Sequence, residues 1–113
     1  VRRMMLPKSS PVWSKAVRES AQDQTCTLRL PGICAGGTET TVLAHLPFGG
    51  RGMGRKASDL HAVHACASCH DMLDQRQRPA IDRDELLEFC VRGLAETHDR
   101  LRYMGLLNVK GDQ

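Results

Sequence analysis

Two cysteine pairs limit how this chain can fold more than any other feature. Cys66-Ala67-Ser68-Cys69 sets two thiols two residues apart, and Cys26 and Cys34 flank a Pro31-Gly32 turn with seven residues between them. In a reducing compartment, close cysteine pairs read as metal ligands before they read as disulfides. Four thiolates from two short loops make the tetrahedral set that zinc prefers. A structural zinc on Cys26, Cys34, Cys66 and Cys69 is therefore expected. The alternative for Cys26 and Cys34 is that they are merely small buried hydrophobes. The fifth cysteine, Cys90, falls on an apolar helical stripe and reads as core. At 113 residues the chain has the length of one domain, yet its aromatics are only Trp13, Phe48, Phe89 and Tyr103. A core so short of large anchors gains from a metal staple.

The rest of the chain punctuates clearly. Residues 1–9 read as a loose arm. Ser10-Pro11 suits a helix start, with a short helix to about Gln22. Residues 26–30 alternate like a strand, Pro31-Gly32 turns the chain, and residues 40–46 read as a second strand ended by Pro47. A glycine-rich loop follows, and residues 60–64 lead into Cys66 as a strand or as extended chain. A helix is expected from near Cys69 to about Gln75, before Pro79. Asp82 and Glu85 have capping-box spacing. They open a longer helix over 82–104 with Leu87, Cys90, Val91, Leu94, His98 and Leu101 at helical spacing and Gly105 as its stop. The expected fold class is α+β: one domain over residues 1–113, with its core in 26–74 and helices at both ends.

His70 directly follows Cys69, and Asp74 lies four residues on. On a helix those two side chains share a face and can grip one ion. His45 ends the second expected strand. Cys66-x-x-Cys69-His70 also matches a c-type haem attachment site, but that reading leaves Cys26 and Cys34 unexplained and needs export. A thioredoxin-like redox pair lacks the surrounding βαβ pattern.

A strand histidine before a proline-ended loop, followed by Cys-x-x-Cys-His at the head of a helix, resembles the HNH endonuclease family, also called the ββα-metal fold. The more specific resemblance is to the small phage and prophage nucleases of the YbcO type. It rests on the segments Cys26 to Cys34, Val42 to His45, Ser58 to Leu60 and Ala65 to Asp74, within residues 17–74. The resemblance implies a zinc-stapled ββα-metal domain with flanking helices. It implies His45 as the general base, since a histidine titrates near working pH. It also implies that His70 and Asp74 hold a catalytic divalent cation: magnesium, manganese, nickel or zinc. The family orients its base with an asparagine five residues before the first cysteine of this pair. That position here is His61, and Asp59 is the other candidate for the orienting role or for an extra metal ligand. Many members carry a metal ligand directly before the base, where this chain has Ala44.

The implied activity is phosphodiester hydrolysis on DNA in phage or prophage processing, alongside phage or host recombination proteins. A second reading is a zinc module that binds nucleic acid or protein without chemistry. Net charge is only +3, which does not by itself demand a nucleic-acid partner. Arg51, Arg55 and Lys56, in a glycine-rich stretch with no acid between Pro47 and Ser58, are the candidate phosphate contacts. No apolar run has membrane-spanning length, and Arg2-Arg3 is followed by too short an apolar run for a signal peptide. A cytoplasmic protein is expected.

Overall fold

The computed structural model describes residues 11–47, 57–74 and 81–112. The elements run α1 (Lys15–Glu19), β1 (Val42–His45), β2 (Ala62–Ala65), α2 (Ala67–Leu73) and α3 (Arg83–Tyr103). The fold is α+β, as expected. β1 and β2 form an antiparallel two-stranded sheet with Val42 opposite Ala65 and His45 opposite Ala62. A pair of strands is marginal alone. Here α2 packs on both strands, α3 packs on β2 and α1 packs on β1. The core lies between them, built from Leu28, Leu30, Ala44, Val63, Met72 and Leu73, with Leu86 and Cys90 of α3. Among the described residues no helix is long and apolar enough to cross a membrane.

Three elements depart from the expectation. The first helix begins at Lys15, not near Pro11, because the Ser14 side chain caps it by accepting from the Val17 N–H. Residues 11–14 are extended instead, tied to the 58–59 turn by Asp59 N–H to the Val12 carbonyl (2.7 Å) and Val12 N–H to Ser58 Oγ (3.0 Å). Residues 26–30 are not a strand. The Arg29 N–H turns back toward Cys26 Sγ at 3.4 Å, and Arg29 takes a left-handed φ of 47°. A sulfur that must gather amides curls the chain and breaks strand alternation. Finally, the buried face of α3 is Leu86, Cys90, Gly93, Thr97 and Leu101, while Leu87 and Val91 are exposed. The expected stripe is thus rotated by about one residue.

Gly93 and Thr97 account for that rotation. A Cβ at Gly93 would lie 3.1 Å from both Leu28 Cδ2 and Thr27 Oγ1, so glycine lets the helix backbone come close to the 27–28 segment. One turn later, Thr97 Oγ1 accepts the His64 N–H (3.1 Å). Thr27 Oγ1 donates to the His64 carbonyl (2.9 Å), and the two hydroxyls lie 3.4 Å apart. The edge of β2 that faces away from β1 is thereby satisfied by two threonines and by the Thr27 N–H (2.7 Å to the same carbonyl). Polar groups displace leucine from the buried stripe because a buried amide without a partner is costly.

Arg92, Glu96 and Arg100, spaced one helical turn apart on α3, strap the segment before and after Cys26. Arg92 donates to the Leu28 carbonyl (2.7 Å), Glu96 pairs with Arg29 through two bonds (2.8 and 2.9 Å), and Arg100 donates to the Thr25 carbonyl and hydroxyl (both 2.7 Å).

Thr97→Val keeps shape and removes the acceptor of a buried N–H. It should lower stability by about 1–3 kcal/mol, read as a fall in the thermal midpoint with the far-ultraviolet circular dichroism of the native state unchanged. An unchanged midpoint would show that the His64 amide finds another partner.

Candidate functional site

The structure gathers the predicted residues into three groups. The first is the cysteine set. Cys26 lies on the curled segment, Cys34 follows the Pro31-Gly32 turn, Cys66 caps α2 and Cys69 sits in its first turn. Gly32 has φ 71°, and the Ile33 and Cys34 N–H groups both donate to the Leu30 carbonyl, which swings Cys34 back toward Cys26. All four Sγ atoms lie within 4.8 Å of one another, and Cys34 Sγ is 3.8 Å from Cys66 Sγ. A tetrahedral thiolate site with metal–sulfur bonds of about 2.3 Å has sulfur–sulfur edges of about 3.8 Å, so the donors present fit such an ion. The cluster could hold a structural metal, and among the described residues it is the only set of three or more His, Cys, Asp or Glu donors close enough to share one.

The charges of these thiols are interdependent. The hydrogen bond from Cys69 holds the Cys26 thiol far below the usual thiol range, and the same contact, with burial, pushes Cys69 far above it. Burial pushes Cys34 up as well. Four adjacent sulfurs cannot all ionise unless a cation offsets them. Cys90, buried one layer away, is pushed up to about 11 by burial and belongs to the core, as expected.

The second group centres on His45, at the end of β1. Its Nε2 lies 2.9 Å from Asp59 Oδ1. Asp59 is 3% exposed, and its other oxygen accepts the Ser14 N–H (2.7 Å) and Arg18 Nη1 (3.1 Å). Burial raises the carboxyl, but Ser14, His45 and Arg18 together outweigh it and hold Asp59 below the ordinary carboxylate range. An ionised carboxylate only accepts, so Nε2 of His45 carries the proton, and Nδ1 is the basic nitrogen of the neutral ring. Of the two residues expected to orient His45, Asp59 makes the contact, and His61 is exposed at the turn before β2. Ser14 and Arg18, which fix Asp59 from more than forty residues away, carry no signal in the sequence beyond an ordinary N-cap and a basic residue one turn later.

The third group is His70 and Asp74 on α2, with Nε2 3.3 Å from Oδ2 and both side chains about one third exposed. The pair can share an ion, as their spacing implies. No third protein donor joins them among the described residues. Ala44 is wholly buried in the core, on the opposite side of the strand from His45. Arg51, Arg55 and Lys56 lie outside the described residues.

The remaining histidines have structural roles. His64 is buried between Ser20 and Arg100, and burial together with the Arg100 cation pushes it down to about 4, so it stays neutral. His98 donates from Nε2 to the Leu60 carbonyl (2.7 Å), which holds the turn that carries Asp59.

A family model described as "Putative nuclease YbcO" matches residues 15–106. The "Putative nuclease YbcO" of Escherichia coli K12 is 40% identical over 82 residues, spanning 72% of this chain and 84% of that protein. The protein of the same description from Enterobacteria phage 82 matches to the same extent. A solved structure described as a putative bacteriophage protein from Escherichia coli K-12 superposes with a TM-score of 0.66 at 36% identity, covering 80% of this chain and all of that one.

An ion held by the four cysteines would share one free energy with folding, so its removal should unfold the core. Thermal melts of the protein with and without a strong chelator, and of Cys66→Ser, are expected to show loss of the cooperative transition; coincident melts would rule out a structural ion. Asp59→Asn should also destabilise, by about 1.5–3 kcal/mol at neutral pH. A depressed carboxyl contributes stability above its ordinary value of about 3.9 and loses it as pH falls through the lower folded value. The gap between native and variant stability in urea melts should therefore be widest at neutral pH and close below about pH 4. A gap independent of pH would mean the Asp59 charge is immaterial.

Proposed function

The chain belongs to the family described as "Putative nuclease YbcO", and from that premise we propose that it is a metal-dependent DNA endonuclease of the HNH type. The observation that carries this reading is the His45–Asp59 contact on a β1–β2–α2 unit whose helix presents His70 beside Asp74. In this reading Nδ1 of His45 takes the proton of a water molecule as its oxygen attacks phosphorus. The bond from phosphorus to the 3′ oxygen breaks and leaves a 5′-phosphate. Asp59 holds the ring in the required tautomer and stabilises the imidazolium once it forms, the role of the carboxylate in a catalytic triad.

His70 and Asp74 would hold the divalent cation, which when bound supplies stabilisation of charge developing on the phosphate oxygens. Zinc is the proposed structural ion, since four thiolates favour it. Arg51, Arg55 and Lys56 are proposed to contact the DNA backbone. Processing or recombination of phage or prophage DNA in the bacterial cytoplasm is the proposed setting, supported by the relative from phage 82.

The buried Ala44 favours a second reading: a zinc module that binds nucleic acid or protein and has lost its chemistry, because no ligand can precede His45 on the metal side. Plasmid nicking separates the two. Purified protein supplied with magnesium, manganese or nickel is expected to nick supercoiled DNA. His45→Ala should lower the rate about 10²–10⁴-fold while DNA affinity stays unchanged and the protein remains folded. No nicking, or equal nicking by both proteins, would transfer the conclusion to the binding module.

A further inference from the structure

We infer that Trp13 is a stacking platform for an unpaired base, so that the nucleic acid accepted at this site carries single-stranded character beside the bond to be cut. The inference rests on the nuclease reading above and deepens it by naming the substrate class. Trp13 is the single tryptophan of the chain and is 64% exposed, whereas tryptophan is highly buried on average. It is not on a loose end. The residues on either side are hydrogen-bonded to the 58–59 turn, Val12 through both its N–H and its carbonyl, and Ser14 through its N–H to Asp59 Oδ2.

That same carboxylate bonds His45, so Ser14 N and His45 Nε2 sit on two oxygens of one group, within roughly 8 Å of one another. The indole is therefore carried by backbone fixed to the group that fixes the base, within reach of nucleotides next to the attacked phosphate. A large flat ring held at a rim with its surface open matches the aromatic platforms on which bases stack in single-strand binding. A base inside a duplex has both faces occupied by its neighbours and offers nothing to such a ring. The helix that follows the ring carries Lys15 and Arg18, which pair with Glu19 and Asp59.

Intrinsic fluorescence excited beyond the tyrosine absorption band reports on this residue alone, since Tyr103 then stays dark. The 113-residue chain, purified with zinc supplied, is titrated, without added magnesium, manganese or nickel, with a thymidine oligonucleotide and with a blunt hairpin duplex. Fluorescence should fall strongly on saturation with the single strand and little with the duplex. Trp13→Ala, whose fold is checked by its thermal midpoint, should bind the single strand about tenfold more weakly or worse and the duplex as before. Trp13→Phe should recover part of the loss.

Binding of the single strand with unchanged fluorescence, or with equal affinity in Trp13→Ala, would overturn the platform. If nicking that depends on His45 persists in that case, the nuclease reading stands and only the stacking role is lost. If the protein neither binds nor cuts any DNA, both fall together.

Discussion

Convergence of four sulfurs within 4.8 Å is the constraint on which the other parts of this structure depend. Two of them lie on a segment with no regular secondary structure and two at the junction of β2 and α2. That junction alone could not stay folded, being two four-residue strands and a seven-residue helix. Joining the sulfurs fixes the 26–34 segment against it, and this segment delivers Leu28 and Leu30 to the core. The long α3 then closes the assembly through apolar contacts and through its Arg92, Glu96 and Arg100 straps. An ion held by these sulfurs would let a chain with few large aromatics keep its shape, its binding energy standing in for apolar area.

A carboxylate organises the His45 side of the molecule as the sulfurs organise the other. Asp59 has both oxygens engaged and draws on three separate parts of the chain: α1 and its cap, the end of β1, and its own turn. The turn is in turn held by His98 of α3. His45 therefore has a defined orientation despite standing at the end of a short strand. His70 and Asp74 need no such support, because the helix itself sets their spacing.

Residues with local or chemical logic were readable from the chain. The four cysteines announced a shared cluster by type and spacing. His70 and Asp74 announced a shared face by their i, i+4 relation. Asp82 and Gly105 bounded α3 within a residue or two. What could not be read depended on partners distant in sequence. The 26–30 segment alternates as a strand would, yet its path is set by a sulfur gathering an amide. The face α3 buries is chosen by Gly93 and Thr97, whose reason lies in Thr27, Leu28 and His64. Trp13 counts as a core anchor by residue type, whereas its neighbours' bonds to 58–59 leave it outside.

The order in which such a molecule can assemble follows from the sequence separations. Ser14 must find Asp59 across 45 residues and Arg18 across 41. Once an ion ties Cys26 to Cys66, the chain path between Ser14 and Asp59 shortens to less than half. Each halving of a loop returns about 0.6 kcal/mol of closure entropy. The sum is small, but its direction is fixed. Contacts across a closed loop form more readily than across an open one, and distant contacts govern the folding rate. The thiolate cluster would then form early and the His45–Asp59 pair late. An ion bound at the cysteines would thus favour the His45–Asp59 contact, although neither residue belongs to the cysteine cluster.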